Sequence, residues 1–199
     1  MKKLVLILIA GASFATANAQ IQFGVKAGAN FANITGDGTS GYKSLVGLDA
    51  GVFANIPLAQ SFSFSPEIIY SGKGTKFSDA GIDFTGRANY LDIPLLFKYK
   101  HASGFNVETG PQVGFLLSAQ LKAQGQSQDQ KAYFNTTEFA WDLGIGYDIP
   151  KTPVGIEVRY NLGISNIAKA DPNDPNDNFK QHNSVFQVGL RYTLLGGKK

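Results

Sequence analysis

Residues 21–33 read IQFGVKAGANFAN, and their alternation sets the fold class. Ile21, Phe23, Val25, Ala27, Ala29 and Phe31 fall on one face. Gln22, Gly24, Lys26, Gly28 and Asn30 fall on the other. A period of two is the mark of a strand with two unlike faces. The pattern recurs downstream. Residues 45–58 set Val46, Leu48, Val52 and Ile56 against Asp49 and Asn55. Residues 62–71 set Phe62, Phe64, Ile68 and Tyr70 against Ser63, Ser65 and Glu67. Five more stretches follow to residue 194. In these, Asp92, Lys98, Glu108, Gln112, Glu138, Asp142, Glu157, Arg159 and Arg191 oppose rows of Leu, Ile, Val, Phe and Tyr. Eight strands are expected in all.

The connections alternate in length. Residues 59–61, 100–103 and 149–152 are turns, whereas 34–44, 72–81, 122–135 and 169–183 are long and polar. Short turns at one end and long loops at the other are the habit of outer-membrane barrels. The predicted architecture is therefore all-β: an eight-stranded antiparallel up-and-down transmembrane β-barrel, its first strand paired with its eighth. The apolar face would meet lipid and the polar face would line the lumen. Glycines crowd the polar side at 24, 28, 47, 51, 110, 114, 144, 146, 155, 163 and 189. An eight-stranded lumen is just wide enough for side chains, so small residues belong there. On the same side Lys26, Lys98, Arg159 and Arg191 can meet Asp49, Glu67, Asp92, Glu108, Asp142 and Glu157, an ionic network that would plug the lumen. On the lipid side a midplane Arg or Lys would cost about 2–4 kcal/mol. Phe23, Phe62, Phe64, Phe97, Tyr99, Phe105, Tyr147 and Tyr192 lie beside short turns or a terminus, as a periplasmic aromatic girdle would. Phe31, Tyr70, Phe139, Trp141 and Phe186 suggest the outer girdle. Pro66 and Pro94 cannot donate to a ladder, so a bulge or local break is expected at each.

The first 19 residues read as a secretory signal, with Lys2 and Lys3, an apolar run over 4–10, and Ala17-Asn18-Ala19 before Gln20. Residues 20–199 form the barrel domain. No later stretch reaches the roughly 20 apolar residues of a membrane helix. The chain has no Cys, which excludes disulfides and thiolate chemistry. Its formal charge is +3, and removing Lys2 and Lys3 leaves +1 (3 − 2). Such a balance gives no footing for nucleic-acid binding.

VKAGANFANITGD (25–37), GVFANIPLAQSFSFSPEIIYSGKG (51–74), NYLDIPLLFKY (89–99), ETGPQVGFLLSA (108–119), FAWDLGIGYD (139–148), GIEVRYNLGISNI (155–167) and VFQVGLRYT (185–193) together resemble the PorT-like outer-membrane β-barrel family. The resemblance implies an eight-stranded outer-membrane barrel without assigned chemistry. The name-giving member is linked to type IX protein secretion, but most relatives have no defined role, so that activity does not carry over. The chain departs from outer-membrane proteins generally in ending Leu194-Leu195-Gly-Gly-Lys-Lys, without a terminal aromatic. The barrel assembly machinery is then expected to read Phe186, Leu190 and Tyr192.

A search for chemistry finds little. His101 lies in a short turn. His182 lies two residues before Ser184 at the end of the fourth long connection, where a rim-site enzyme acting on lipid A would carry such groups. Two neighbours in sequence do not make a catalytic constellation. Asp171, Asp174 and Asp177 have the oxygen density of a Ca²⁺ loop but lack its Gly and closing Glu. Gly72-Lys-Gly-Thr-Lys76 opens no helix and is no phosphate loop. No catalytic, metal or cofactor site is assigned. The expected role is non-enzymatic: a structural or surface protein, or an accessory subunit of an envelope machine. The expected partners are outer-membrane lipid and other envelope proteins. A lipid A-modifying enzyme and a narrow pore are the alternatives.

Overall fold

The computed structural model describes residues 20–170 and 178–196. The signal-like segment and the Asp171–Asp177 run lie outside the described residues. Nine strands occur among the described residues: β1 Gln22–Gly36, β2 Lys43–Pro57, β3 Phe62–Asp79, β4 Ile82–Lys100, β5 Phe105–Ala123, β6 Gln126–Asp129, β7 Thr137–Asp148, β8 Val154–Gly163 and β9 Gln181–Leu195. All but β6 form one antiparallel ring, in the order β1-β2-β3-β4-β5-β7-β8-β9 and back to β1. The first and last strands pair from Phe23↔Leu195 to Gly36↔Gln181. The short β6 hangs on the upper end of β5. A closed ring leaves no unpaired edge, which is the condition for strands in lipid.

The faces follow the alternation. Phe23, Val25, Phe31, Leu48, Val52, Ile68, Phe97, Phe115, Ile145, Ile156 and Leu190 are exposed. Lys26, Asp49, Glu67, Asp92, Glu108, Asp142, Arg159 and Arg191 are buried. Phe62 packs against Tyr99 (5.1 Å between ring centres) and Phe64 against Phe97 (5.5 Å), on the lipid side beside the short turns.

Two expectations need correction. The connection at 72–81 is not a loop. β3 and β4 run on, pairing from Ser71↔Tyr90 to Asp79↔Ile82, and only Ala80 and Gly81 turn the chain. Both turn residues have positive φ (47° and 81°), the geometry a tight hairpin requires. Likewise Lys122 belongs to β5. The rim opposite the short turns is thus extended by sheet. The prolines bring the expected local break in the ladders, but no bulge. Pro66 pairs with Leu95, and the β3–β4 register is the same on both sides of Pro94. Two successive pairs drop out of each ladder there, because proline removes one donor without adding a residue. In the β2–β3 register Ala54 faces Pro66, and its carbonyl accepts from the Ser65 hydroxyl instead (3.1 Å). Parity therefore survives, and Leu96 and Lys98 both point inward. The register shifts occur elsewhere, between Phe23 and Gly24 in the β1–β9 ladder, between Asn89 and Tyr90 in the β4–β5 ladder and between Ser44 and Asp49 in the β2–β3 ladder.

Candidate functional site

The lumen holds a chain of charges contributed by every strand of the ring. Near the short-turn end, Lys100 Nζ lies 2.6 Å from Asp148, which also takes Arg191 Nη2 at 2.6 Å. Arg191 Nε reaches Glu157 at 3.1 Å. Lys26 bridges Glu157 to Glu67, the latter at 3.2 Å. Arg159 sits at the centre. Its guanidinium donates to both carboxylate oxygens of Glu67 (2.9 and 3.0 Å) and twice to Glu108 Oε1 (2.9 and 2.7 Å). Lys98 closes the chain on Glu108 at 2.7 Å. The planar fork of arginine suits such paired carboxylates. β3, β5 and β8 are tied through this one side chain.

Small residues make the space. A Cβ on Gly144 would stand 2.8 Å from the Glu108 side chain, and one on Gly114 would stand 2.5 Å from Asp92 Oδ1. These glycines line the lumen because their neighbours' charged side chains occupy the volume above them.

A second cluster lies further from the short turns. Lys73 Nζ contacts Asp92 (3.0 Å) and Glu138 (2.9 Å) and stands 4.8 Å from the centre of the Tyr90 ring. Asn183 donates to Glu138 at 3.1 Å. Between the clusters Gln187 donates to Asn30, and Asn30 donates to Ser71 and the Gly72 carbonyl. Five cations and seven carboxylates are buried among the described residues. Two carboxylates must then do without a cation of their own. Asp49 is 3.9 Å from Lys26, and Asp142 takes an amide hydrogen bond from Asn161 at 2.8 Å.

Above the second cluster the inner face turns apolar. Ala88, Leu116 and Ala119 pack there with Tyr90 and Phe134, while Ala32, Leu45, Ala140 and Val185 are buried on the inner faces of other strands. Ile167, from the connection after β8, is 1% exposed. Its backbone is clamped on both sides: its N–H donates to the Gln181 carbonyl (2.8 Å) and its carbonyl accepts from Asn135 (2.9 Å). The Asn135 side chain donates to the Asn166 and Ala168 carbonyls. The connections after β5 and β8 are thereby laced together across the mouth.

Lys73 was not expected in the lumen, because Gly72 and Gly74 interrupt the apolar face and mimic a loop. The inward parity of Ser65, Glu67 and Ser71, carried on, reaches it. The apolar inner cluster was missed too, since its members break the polar face only one at a time.

The rim histidine does not meet the rim serine. His182 Nδ1 lies 2.9 Å from the Ser165 carbonyl, and Ser184 Oγ lies 2.8 Å from the Tyr160 hydroxyl. His101 bonds the Ser103 hydroxyl in an exposed turn. Phe186, Leu190 and Tyr192 lie on the lipid side.

A sequence model of the family "outer membrane protein beta-barrel domain" matches residues 13–169. The chain belongs to that family. It is a β-barrel of the outer membrane, and this broad family is as far as the match reaches. Comparison with proteins of curated function finds no match. Among solved structures, Neisserial surface protein A has the same fold. It is 16% identical, with a TM-score of 0.53, over 86% of this chain and 97% of its own. The barrel is also similar to Ail, the attachment invasion locus protein of Yersinia pestis (14% identity, TM-score 0.49, 88% of this chain and 99% of that one). Another similar structure is OprG of Pseudomonas aeruginosa (13% identity, TM-score 0.41, 88% and 95%).

Proposed function

We propose that this is a non-enzymatic, non-conducting barrel whose plugged lumen is structural and whose working surface is extracellular. The observation that carries the reading is Arg159, fixed by four short contacts to Glu67 and Glu108 in the middle of an eight-stranded ring. An interior of this size has room for side chains and little else. The apolar cluster of Ala88, Tyr90, Leu116 and Ala119 and the clamped Ile167 would stand in series with it. Planar-bilayer recording tests this. The expected result is no steady open level, and a large, sustained conductance would overturn it.

Separate partners for His182 and Ser184 support the absence of a rim-site enzyme. Lipid A isolated with and without the protein should have the same acyl pattern. Export would proceed through residues 1–19, with the mature protein beginning at Gln20, which N-terminal mass spectrometry of the outer-membrane form can read. Insertion would fall to the barrel assembly machinery, reading Phe186, Leu190 and Tyr192 on the lipid face. A second reading, an accessory subunit of a secretion-type envelope machine, draws on the PorT-like sequence and on the long β3–β4 hairpin, which offers a partner a rigid surface. Affinity purification from intact outer membranes tests it through co-purification of one stoichiometric envelope protein.

A further inference from the structure

Cross-strand register brings three lysines into one row. Lys43 pairs with Lys76, Lys76 with Thr85, Thr85 with Lys122, and Lys122 with Ser127. Directly paired residues share a face. Thr75 and Ala88 point inward, so this row points outward, on the side that carries the lipid-facing residues lower down. Arg87, two residues along β4 from Thr85, extends the row into a patch; it pairs with Gly74 and Gln120. All four cations are exposed, and none makes an ion pair or side-chain hydrogen bond among the described residues. Two carboxylates border the patch, and both are engaged. Asp83 accepts from Ser78 (2.5 Å), and Asp129 accepts from the Lys131 backbone (2.8 Å). Like charges placed directly opposite one another destabilise a sheet. Lys43 facing Lys76 with no anion between them is a conflict that a ligand would relieve.

The height of the patch selects the ligand. A tilted strand advances roughly 2.5 Å per residue along the barrel axis. From Tyr99 at the lower girdle, Leu91 is then about 20 Å up β4, Arg87 about 30 Å and Thr85 about 35 Å. The apolar band of such barrels is about 25 Å tall. The cations thus begin some 5 Å beyond the acyl chains, at headgroup level, and long basic side chains reach back toward the interface. We propose that Lys43, Lys76, Arg87 and Lys122 form a strip that binds phosphate groups of outer-leaflet glycolipid headgroups. The proposal rests on the extracellular placement of the β3–β4 hairpin. Protease accessibility on cells reads that placement independently of binding.

The test uses the full barrel refolded in uncharged detergent. Bisphosphorylated lipid A and its dephosphorylated form are titrated in mixed micelles, and bound lipid is counted by native mass spectrometry. Each cation at a charged surface strengthens binding about fivefold. The variant K43Q/K76Q/R87Q/K122Q should therefore bind lipid A about 600-fold more weakly. The wild type should favour the phosphorylated lipid and lose affinity as salt rises. Lys151→Gln, at the opposite rim, should change nothing. If the fourfold variant does not refold, K76Q/K122Q should still give on the order of a tenfold loss. Undiminished binding by the variants, or equal binding of the dephosphorylated lipid, would overturn the proposal. So would displacement by inorganic phosphate beyond that caused by chloride at equal ionic strength, which would assign the strip to small anions.

Discussion

Arg159→Met removes a cation that contacts two buried carboxylates four times. The variant keeps the side-chain volume but leaves Glu67 and Glu108 short of positive charge. They are not abandoned, because Lys26 stays 3.2 Å from Glu67 and Lys98 stays 2.7 Å from Glu108. Breaking a buried pair by removing one partner costs about 3–5 kcal/mol. With a urea slope of about 2 kcal/mol/M, the unfolding midpoint of the vesicle-reconstituted barrel should fall by roughly 2 M. The protein carries one tryptophan, and Trp141 faces lipid, so its emission together with the gel shift of the folded barrel reports the transition. Adding Glu67→Gln removes one negative charge for the lost positive one, while Glu108 keeps Lys98. Half or more of the loss should return, since buried ion pairs can be replaced by neutral groups at little net cost. A midpoint shift under about 0.5 M for Arg159→Met (roughly 1 kcal/mol) would refute the network as a stabilising element. A double variant as weak as the single one would show that the cost is packing, not charge.

Gly114→Val should hinder folding by about 1–3 kcal/mol, because its Cβ would meet Asp92 Oδ1 at 2.5 Å and crowd the Lys73 cluster; urea midpoints read the loss. Protease added to intact cells should cut at the exposed turn Gln124–Gly125 and its flanking lysines, Lys122 and Lys131, and spare His101 and Lys151. Cleavage at the short turns instead would reverse the orientation. His182→Ala should lower stability by no more than about 1 kcal/mol, the worth of its bond to the Ser165 carbonyl, and leave lipid A unchanged in mass spectra.

The barrel was legible because parity is a digital signal. Over most of each strand, residues two apart look alike, and neither Pro66 nor Pro94 shifts the count. Legibility stopped where parity met glycine. Gly72 and Gly74 hid eight further residues of β3 and with them Lys73, so the second ionic cluster appeared only when β3 and β4 were seen to pair as far as Asp79↔Ile82. Ile167 was out of reach for another reason. Its burial depends on Asn135 and Gln181, over 30 residues before it and 14 after it, and no local pattern encodes that clamp. The Lys43–Lys76–Lys122 row is likewise a fact of register. Three lysines spread over 80 residues carry no shared motif.

The lumen charges also explain why this sequence closes in one register. A one-residue slip of a strand sends its whole inner face to lipid. For β1 that would place Lys26 among acyl chains at about 2–4 kcal/mol. It would also strip Glu67 and Glu157 of a partner they share. A slip of β8 would do the same to Arg159, and its cost would spread to β3 and β5 through Glu67 and Glu108. The apolar outer face cannot supply this discrimination, since one Leu or Val against lipid is much like the next. Buried ion pairs add little to net stability when compared with well-packed apolar substitutes. Here their contribution is specificity. They make every misregistered ring worse while leaving the native one close to neutral, and this holds whether or not the lumen ever admits a solute.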